Sequence, residues 1–71
     1  MDVLKMAAKL RQLRRAKNAT QADVAKTCGI AASAYAMYET GERTPRDDVK
    51  AKLAKYFGKP IGYIFFDEDT H

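Results

Sequence analysis

Between Thr20 and Gly41 the chain has room for two short helices and one tight turn, and this stretch constrains the fold more than any other. Thr20 is followed three residues later by Asp23, the spacing at which a hydroxyl and an acid cap a helix start reciprocally. The run QADVAKTC then places Val24, Ala25 and Cys28 on one face at helical spacing. Gly29 stands where a helix of that length needs a left-handed terminator. After a short turn, in which apolar Ile30 packs inward, a second run covers residues 32–40. Tyr35 and Tyr38 share its inner face, and Gly41 ends it.

The flanking sequence predicts three more helices. Val3, Met6, Ala7, Leu10 and Leu13 recur at spacings of three and four across residues 2–17, the stripe of a half-buried helix. Asn18 and Ala19 end it. Pro45 is expected in the first turn of a fourth helix, where its missing N–H costs nothing. Asp47 and Asp48 suit the positive start of that helix. Its inner stripe is Val49, Leu53, Ala54 and Phe57, and Gly58 stops it. Pro60 starts a short last helix, IGYIFF. No run alternates long enough to be a strand. Prolines and glycines are expected between the segments, where breakers belong.

At 71 residues the chain has the size of one small domain. Such a domain buries only roughly 60% of the surface its unfolded chain exposes. No staple is visible to help it. Cys28 is the single cysteine, so an intramolecular disulfide is excluded, and no metal-ligand spacing surrounds it. No cofactor is implied. No apolar run approaches the ~20 residues of a membrane helix, and the start lacks a signal-peptide apolar region. A cytoplasmic protein is expected. Asn18-Ala19-Thr20 matches a glycosylation sequon by chance, since Thr20 has a capping role.

The net charge is +4, unevenly spread. Lys5, Lys9, Arg11, Arg14, Arg15 and Lys17 crowd the first helix against Asp2 alone, while Asp67, Glu68 and Asp69 make the end acidic. A domain at residues 1–66 with an acidic tail at 67–71 is therefore expected. A basic body suits a polyanion such as nucleic acid, although a solvated surface would look the same from charge alone.

A capped helix, a glycine-bearing turn and a second short helix form the helix-turn-helix unit, whose second helix is placed for the major groove of DNA. The stretch LRRAKNATQADVAKTCGIAASAYAMYETGERTP resembles the Cro/cI-type (XRE family) helix-turn-helix. The matching marks are Leu13, Arg14, Thr20, Gln21, Ala25, Gly29, Glu39, Gly41, Arg43 and Pro45. KLAKYFGKPIGYIF resembles that family's closing helix pair. The resemblance spans Leu10 to Phe65. It implies an all-α, five-helix, lambda-repressor-like domain. It also implies a sequence-specific regulator of transcription, acting as a repressor and as a dimer on a pseudo-palindromic operator in double-stranded DNA.

Residue roles follow from the same resemblance. Arg14 and Glu39 match a pair bridging the first helix to the end of the third, and Gln21 matches a phosphate contact. Thr40 and Arg43 flank the loop that touches the duplex backbone. Ala32, Ser33, Ala36 and Met37 fall on the base-facing side of the reading helix. Each has a plainer reading as surface charge, polar first-turn residue or solvent-facing side chain. The stretch AASAYAM departs from the usual pattern. It holds no Arg, Asn or Gln for two-pronged contacts with base edges. Ala31 also replaces the usual Ser or Thr cap, a loss of about 1 kcal/mol. Arg46 and Lys50, beginning the fourth helix, are further candidates for the duplex.

An enzyme is not expected, because nothing in the chain assembles a nucleophile, an acid pair or a phosphate loop. The competing reading is a protein-binding module, an antitoxin or accessory regulator whose partner is another protein. Its feature is IGYIFF, which carries more apolar side chains than one short helix buries beneath itself. Ile61, Tyr63 and Phe66 are the expected dimer contacts; closing the core is the plainer role for Ile61, Ile64 and Phe65.

Overall fold

Asp2 opens the first helix from outside it. Its Oδ1 accepts the N–H groups of Leu4 at 2.9 Å and Lys5 at 3.2 Å, so it is the cap of α1 (Val3–Ala16) rather than its first residue. The computed structural model describes residues 2–66; the acidic tail expected at 67–71 lies outside the described residues. Four helices follow α1: α2 (Gln21–Cys28), α3 (Ala32–Thr40), α4 (Asp47–Phe57) and α5 (Ile61–Phe65). No strand occurs among the described residues. This is the all-α, lambda-repressor-like architecture.

Both arms of the Thr20–Asp23 cap form. Asp23 N–H donates to Thr20 Oγ1 at 3.0 Å, and Thr20 N–H donates to Asp23 Oδ2 at 2.9 Å. The Thr20 donors hold the Asp23 carboxyl below its ordinary range. α2 then ends at Gly29, whose φ of +69° is left-handed. α3 starts without help: Ala31 makes no side-chain cap. It ends at Gly41, φ +82°, where a Cβ would stand 3.5 Å from the Val3 carbonyl oxygen. Glycine there serves the left-handed backbone turn; a Cβ would meet α1 only at ordinary van der Waals distance.

Three expectations need correction. Pro45 is not in the first turn of α4; Arg46, in extended conformation, is the cap, and helical geometry begins at Asp47. Pro45 lies ahead of it, buried, its fixed φ serving the extended lead-in. Val3 is 37% exposed, since the first turn of α1 overhangs the core. Gly62 lies inside α5 and is buried, not between segments.

α3 packs on α1 and α2, α4 packs on α2, and α5 lies against α4 and α1. The shared core holds Met6, Leu10, Val24, Tyr35, Leu53, Ile64 and Phe65, each almost wholly buried. Full burial of such side chains stabilises by roughly 1.5–3 kcal/mol each. Leu13, Ile30 and Tyr63 pack on its margin. One face of α3 is thus pinned to the core while the other is left outside. Among the described residues no helix is long and apolar enough to cross a membrane.

Candidate nucleic-acid interface

The inner edge of α3 is held by a buried polar network. Glu39, 2% exposed, takes Arg14 in a two-pronged bond: Nε to Oε2 at 2.7 Å and an Nη donor to Oε1 at 3.1 Å. A planar guanidinium matched to a carboxylate fixes orientation as well as distance. Arg14 also donates to the Ala19 carbonyl at 3.1 Å, tying down the turn before α2. Arg11 donates to the Glu39 backbone carbonyl and so closes the end of α3. The bridge between α1 and the end of α3 is therefore present.

Gln21 joins the same network: its Nε2 donates to Glu39 Oε1 at 3.0 Å. Its side chain is half-buried at the start of α2, with one amide proton used inward. The sequence offered no signal for this bond, because it depends on how α2 crosses α3. Burial works to raise the Glu39 pKa, but the donors from Arg14 and Gln21 outweigh it and hold the carboxyl below its ordinary value. The Tyr35 hydroxyl is buried nearby and lacks a hydrogen-bond partner. It lies close enough to Glu39 to feel the carboxylate, yet outside hydrogen-bond geometry. Burial first, and Glu39 second, push its phenol well above the ordinary range.

The outer edge of α3 has a different composition. Ser33, Ala36, Met37 and Thr40 are spaced at three and four, which sets them on one face. Ser33 and Thr40 are exposed, Ala36 and Met37 half-buried, and Ala32 is exposed at the first turn. The residues expected to face bases are thus brought together on one side, opposite Tyr35 and Tyr38. Arg43 is exposed in the loop after α3, and its N–H donates back to the Met37 carbonyl at 3.3 Å. That bond holds the loop against α3. Arg43, Thr44 and Arg46 line a groove together with Ile30, Ala31 and Ala34.

One residue departs from expectation. Lys50 does not face outward with Arg46: it is only 8% exposed, its Nζ lies 3.6 Å from Asp47 and 5.1 Å from the centre of the Phe66 ring. Its position on α4 turns it toward α5, so it drops out of this surface. Thr40 is exposed, but its hydroxyl is engaged by the carboxylate of Glu42 at 2.8 Å. Glu42 was not singled out from the sequence; an acid two residues beyond a helix-end threonine was the available signal.

The surplus of apolar side chains in IGYIFF divides. Ile64 and Phe65 close the core, while Ile61 is 37% and Phe66 49% exposed. Tyr63 is half-buried, with Lys9 Nζ 4.7 Å and Lys59 Nζ 5.6 Å from its ring centre. Of the expected dimer contacts, Ile61 and Phe66 are thus exposed, while the Tyr63 and Phe66 rings already have lysine ammonium groups over them.

Residues 10–64 match the sequence model of a family described as Helix-turn-helix. The cryptic phage CTXphi transcriptional repressor RstR of Vibrio cholerae is 35% identical over 63 residues, 89% of this chain and 57% of that protein. The chain thus spans little more than half that relative's length. An uncharacterised HTH-type transcriptional regulator of Methanocaldococcus jannaschii is 38% identical over 61 residues, covering 86% of this chain and 92% of the relative. No solved structure matches.

Proposed function

Since this chain belongs to the helix-turn-helix family, we propose that it is a sequence-specific regulator of transcription that binds double-stranded DNA. It acts as a repressor, as a two-fold dimer on a pseudo-palindromic operator. One observation carries the reading: the outer edge of α3 is free while its inner edge is locked to α1 and α2. A helix fixed on one side and bare on the other is what insertion into a major groove requires.

In this reading Ala32, Ser33, Ala36 and Met37 face base edges. Ser33 is the polar probe, and the methyl groups lie against thymine methyls. Gln21, Thr40 and Arg43 hold the duplex backbone. Gln21 does so with its remaining amide proton and from a helix start, where free N–H groups favour an anion. The repressor name borne by one relative supports the sign of regulation. Exposed Ile61 and Phe66, with Tyr63 between them, supply the dimer contact. Half-site centres then lie about 34 Å apart, one turn of duplex.

The test is competitive binding to DNA from upstream of the protein's own gene and to a scrambled duplex of equal length. Preference for the upstream DNA, with two protomers bound per site, is the expected result. Replacing Tyr63 and Phe66 with polar residues weakens cooperative binding and leaves the monomer folded. Binding to neither duplex at low salt sinks the reading. Exposed Ile61 and Phe66 then favour a protein partner as the chain's target.

A further inference from the structure

Glu42 stands where the helix terminus disfavours a carboxylate. It lies one residue past Gly41, the left-handed end of α3, where the unpaired carbonyls already make the helix terminus negative. Among the described residues it forms no ion pair. Its side chain is exposed, and its one side-chain partner is the Thr40 hydroxyl at 2.8 Å. Its backbone N–H donates to the Met37 carbonyl at 3.0 Å, a bond any residue would make. Cations stabilise such a helix end and anions do the reverse.

The same position is exposed to whatever approaches the outer edge of α3. Glu42 sits in sequence between Thr40 and Arg43, two of the three residues assigned to the duplex backbone. A duplex carries one negative charge per about 1.7 Å of its axis. A carboxylate fixed beside that array opposes it. The Thr40 hydroxyl has a single proton and two acceptors within reach, the Glu42 carboxylate at 2.8 Å and the Met37 carbonyl at 3.0 Å. Thr40 can donate to a phosphate only by giving up both.

We propose that Glu42 is a built-in limit on backbone affinity, an affinity-setting residue of the duplex-binding surface. This inference rests on the DNA-binding reading above. Its consequence suits the reading helix. With one hydroxyl and several methyls for bases, α3 discriminates weakly, and unchecked backbone attraction would leave the protein held on random DNA. Glu42 keeps that background low.

The test uses the full chain and a fluorescein-labelled duplex of mixed sequence, with anisotropy titrations across a series of salt concentrations. Glu42→Gln keeps an oxygen to accept from Thr40 and removes only the charge. It is expected to bind several-fold tighter at low salt, with the gain shrinking as salt rises. Glu42→Ala removes the charge and the Thr40 bond together, and an equal gain there assigns the effect to charge. Damage to the fold does not mimic a gain in affinity. Affinity for the duplex unchanged or weakened in Glu42→Gln overturns the inference, as does a gain confined to Glu42→Ala. Failure of the unaltered chain to bind any duplex removes the DNA-binding reading itself, a separate and recognisable result.

Discussion

The two edges of α3 are made of opposite materials. The inner edge carries Tyr35, Tyr38 and Glu39, nearly buried, with Arg11, Arg14 and Gln21 all reaching Glu39 from other helices. The outer edge, a few ångströms away on the same nine-residue helix, carries Ala36, Met37, Ser33 and Thr40, and two of these four are exposed. The inner edge fixes where the helix is; the outer edge can change without moving it. On the proposed DNA-binding reading, stability and discrimination fall to different residues, and each can be disturbed alone.

The largest expected effect lies on the inner edge. Arg14→Ala should destabilise the fold by about 3–5 kcal/mol, because it leaves the buried Glu39 carboxylate without its ion-pair partner; Glu39→Ala should cost less, because the Arg14 side chain is 17% exposed and solvent reaches it. Small domains have total stabilities of roughly 5–15 kcal/mol, so Arg14→Ala should be near unfolding. Denaturant titration measures it. Met37→Ala, on the outer edge, should cost much less. Comparable losses in the two variants would break the comparison.

Acid should attack the same edge. The Glu39 carboxyl is held below its ordinary value of 4.5 by its donors. A depressed folded-state pKa means that the unfolded chain takes up the proton first. The stabilisation is therefore complete above 4.5 and disappears as pH falls through the lower folded-state value. The stability difference between the native chain and Glu39→Gln should be constant at neutral pH and collapse in that acid window. A difference independent of pH would show that the pair is not ionised in the fold.

The local elements were legible in the sequence because their causes are local. Thr20 with Asp23, and glycine at 29, 41 and 58, act within one turn of themselves, and all form as expected. The Arg14–Glu39 bridge was reached only through family resemblance, since the partners are 25 residues apart and nothing in their neighbours pairs them. The bond from Gln21 to Glu39 and the inward turn of Lys50 were not legible at all. Both depend on helix crossings, and Lys50 reads as surface until Phe66 is seen beside it. Pro45 misled for a local reason: a fixed φ suits an extended lead-in as well as a first helical turn. The outer edge of α3 was legible as a face but not as a code, since methyl groups carry little directional information.

A smaller effect lies where the edges meet, at the bare start of α3. Ala31 makes no side-chain cap, while Thr20 caps α2 fully. Ala31→Ser should stabilise the fold by about 1 kcal/mol if the new hydroxyl reaches an orphan N–H of the first turn. A thermal melt reads it. No gain would mean that backbone groups at this start are already satisfied by solvent as well as a serine satisfies them.

The smallest effect, and the one that tests the outer edge directly, belongs to Ser33. It is exposed on the first turn of α3 and, among the described residues, is the one hydroxyl on the outer edge without an internal partner, since Thr40 is engaged by Glu42. A good two-pronged contact with a base discriminates by about 1–3 kcal/mol. A single hydroxyl, able to donate or accept, should give less. Ser33→Ala should therefore leave folding unchanged and narrow the gap between operator and scrambled duplex by under about 1 kcal/mol. Arg43→Ala should do the reverse, weakening both duplexes alike and lowering the salt dependence by about one unit of slope. Competitive titration of both variants at two salt concentrations separates these outcomes. If Arg43→Ala changes the ratio and Ser33→Ala changes nothing, discrimination resides in the loop, and the outer edge of α3 supplies only shape.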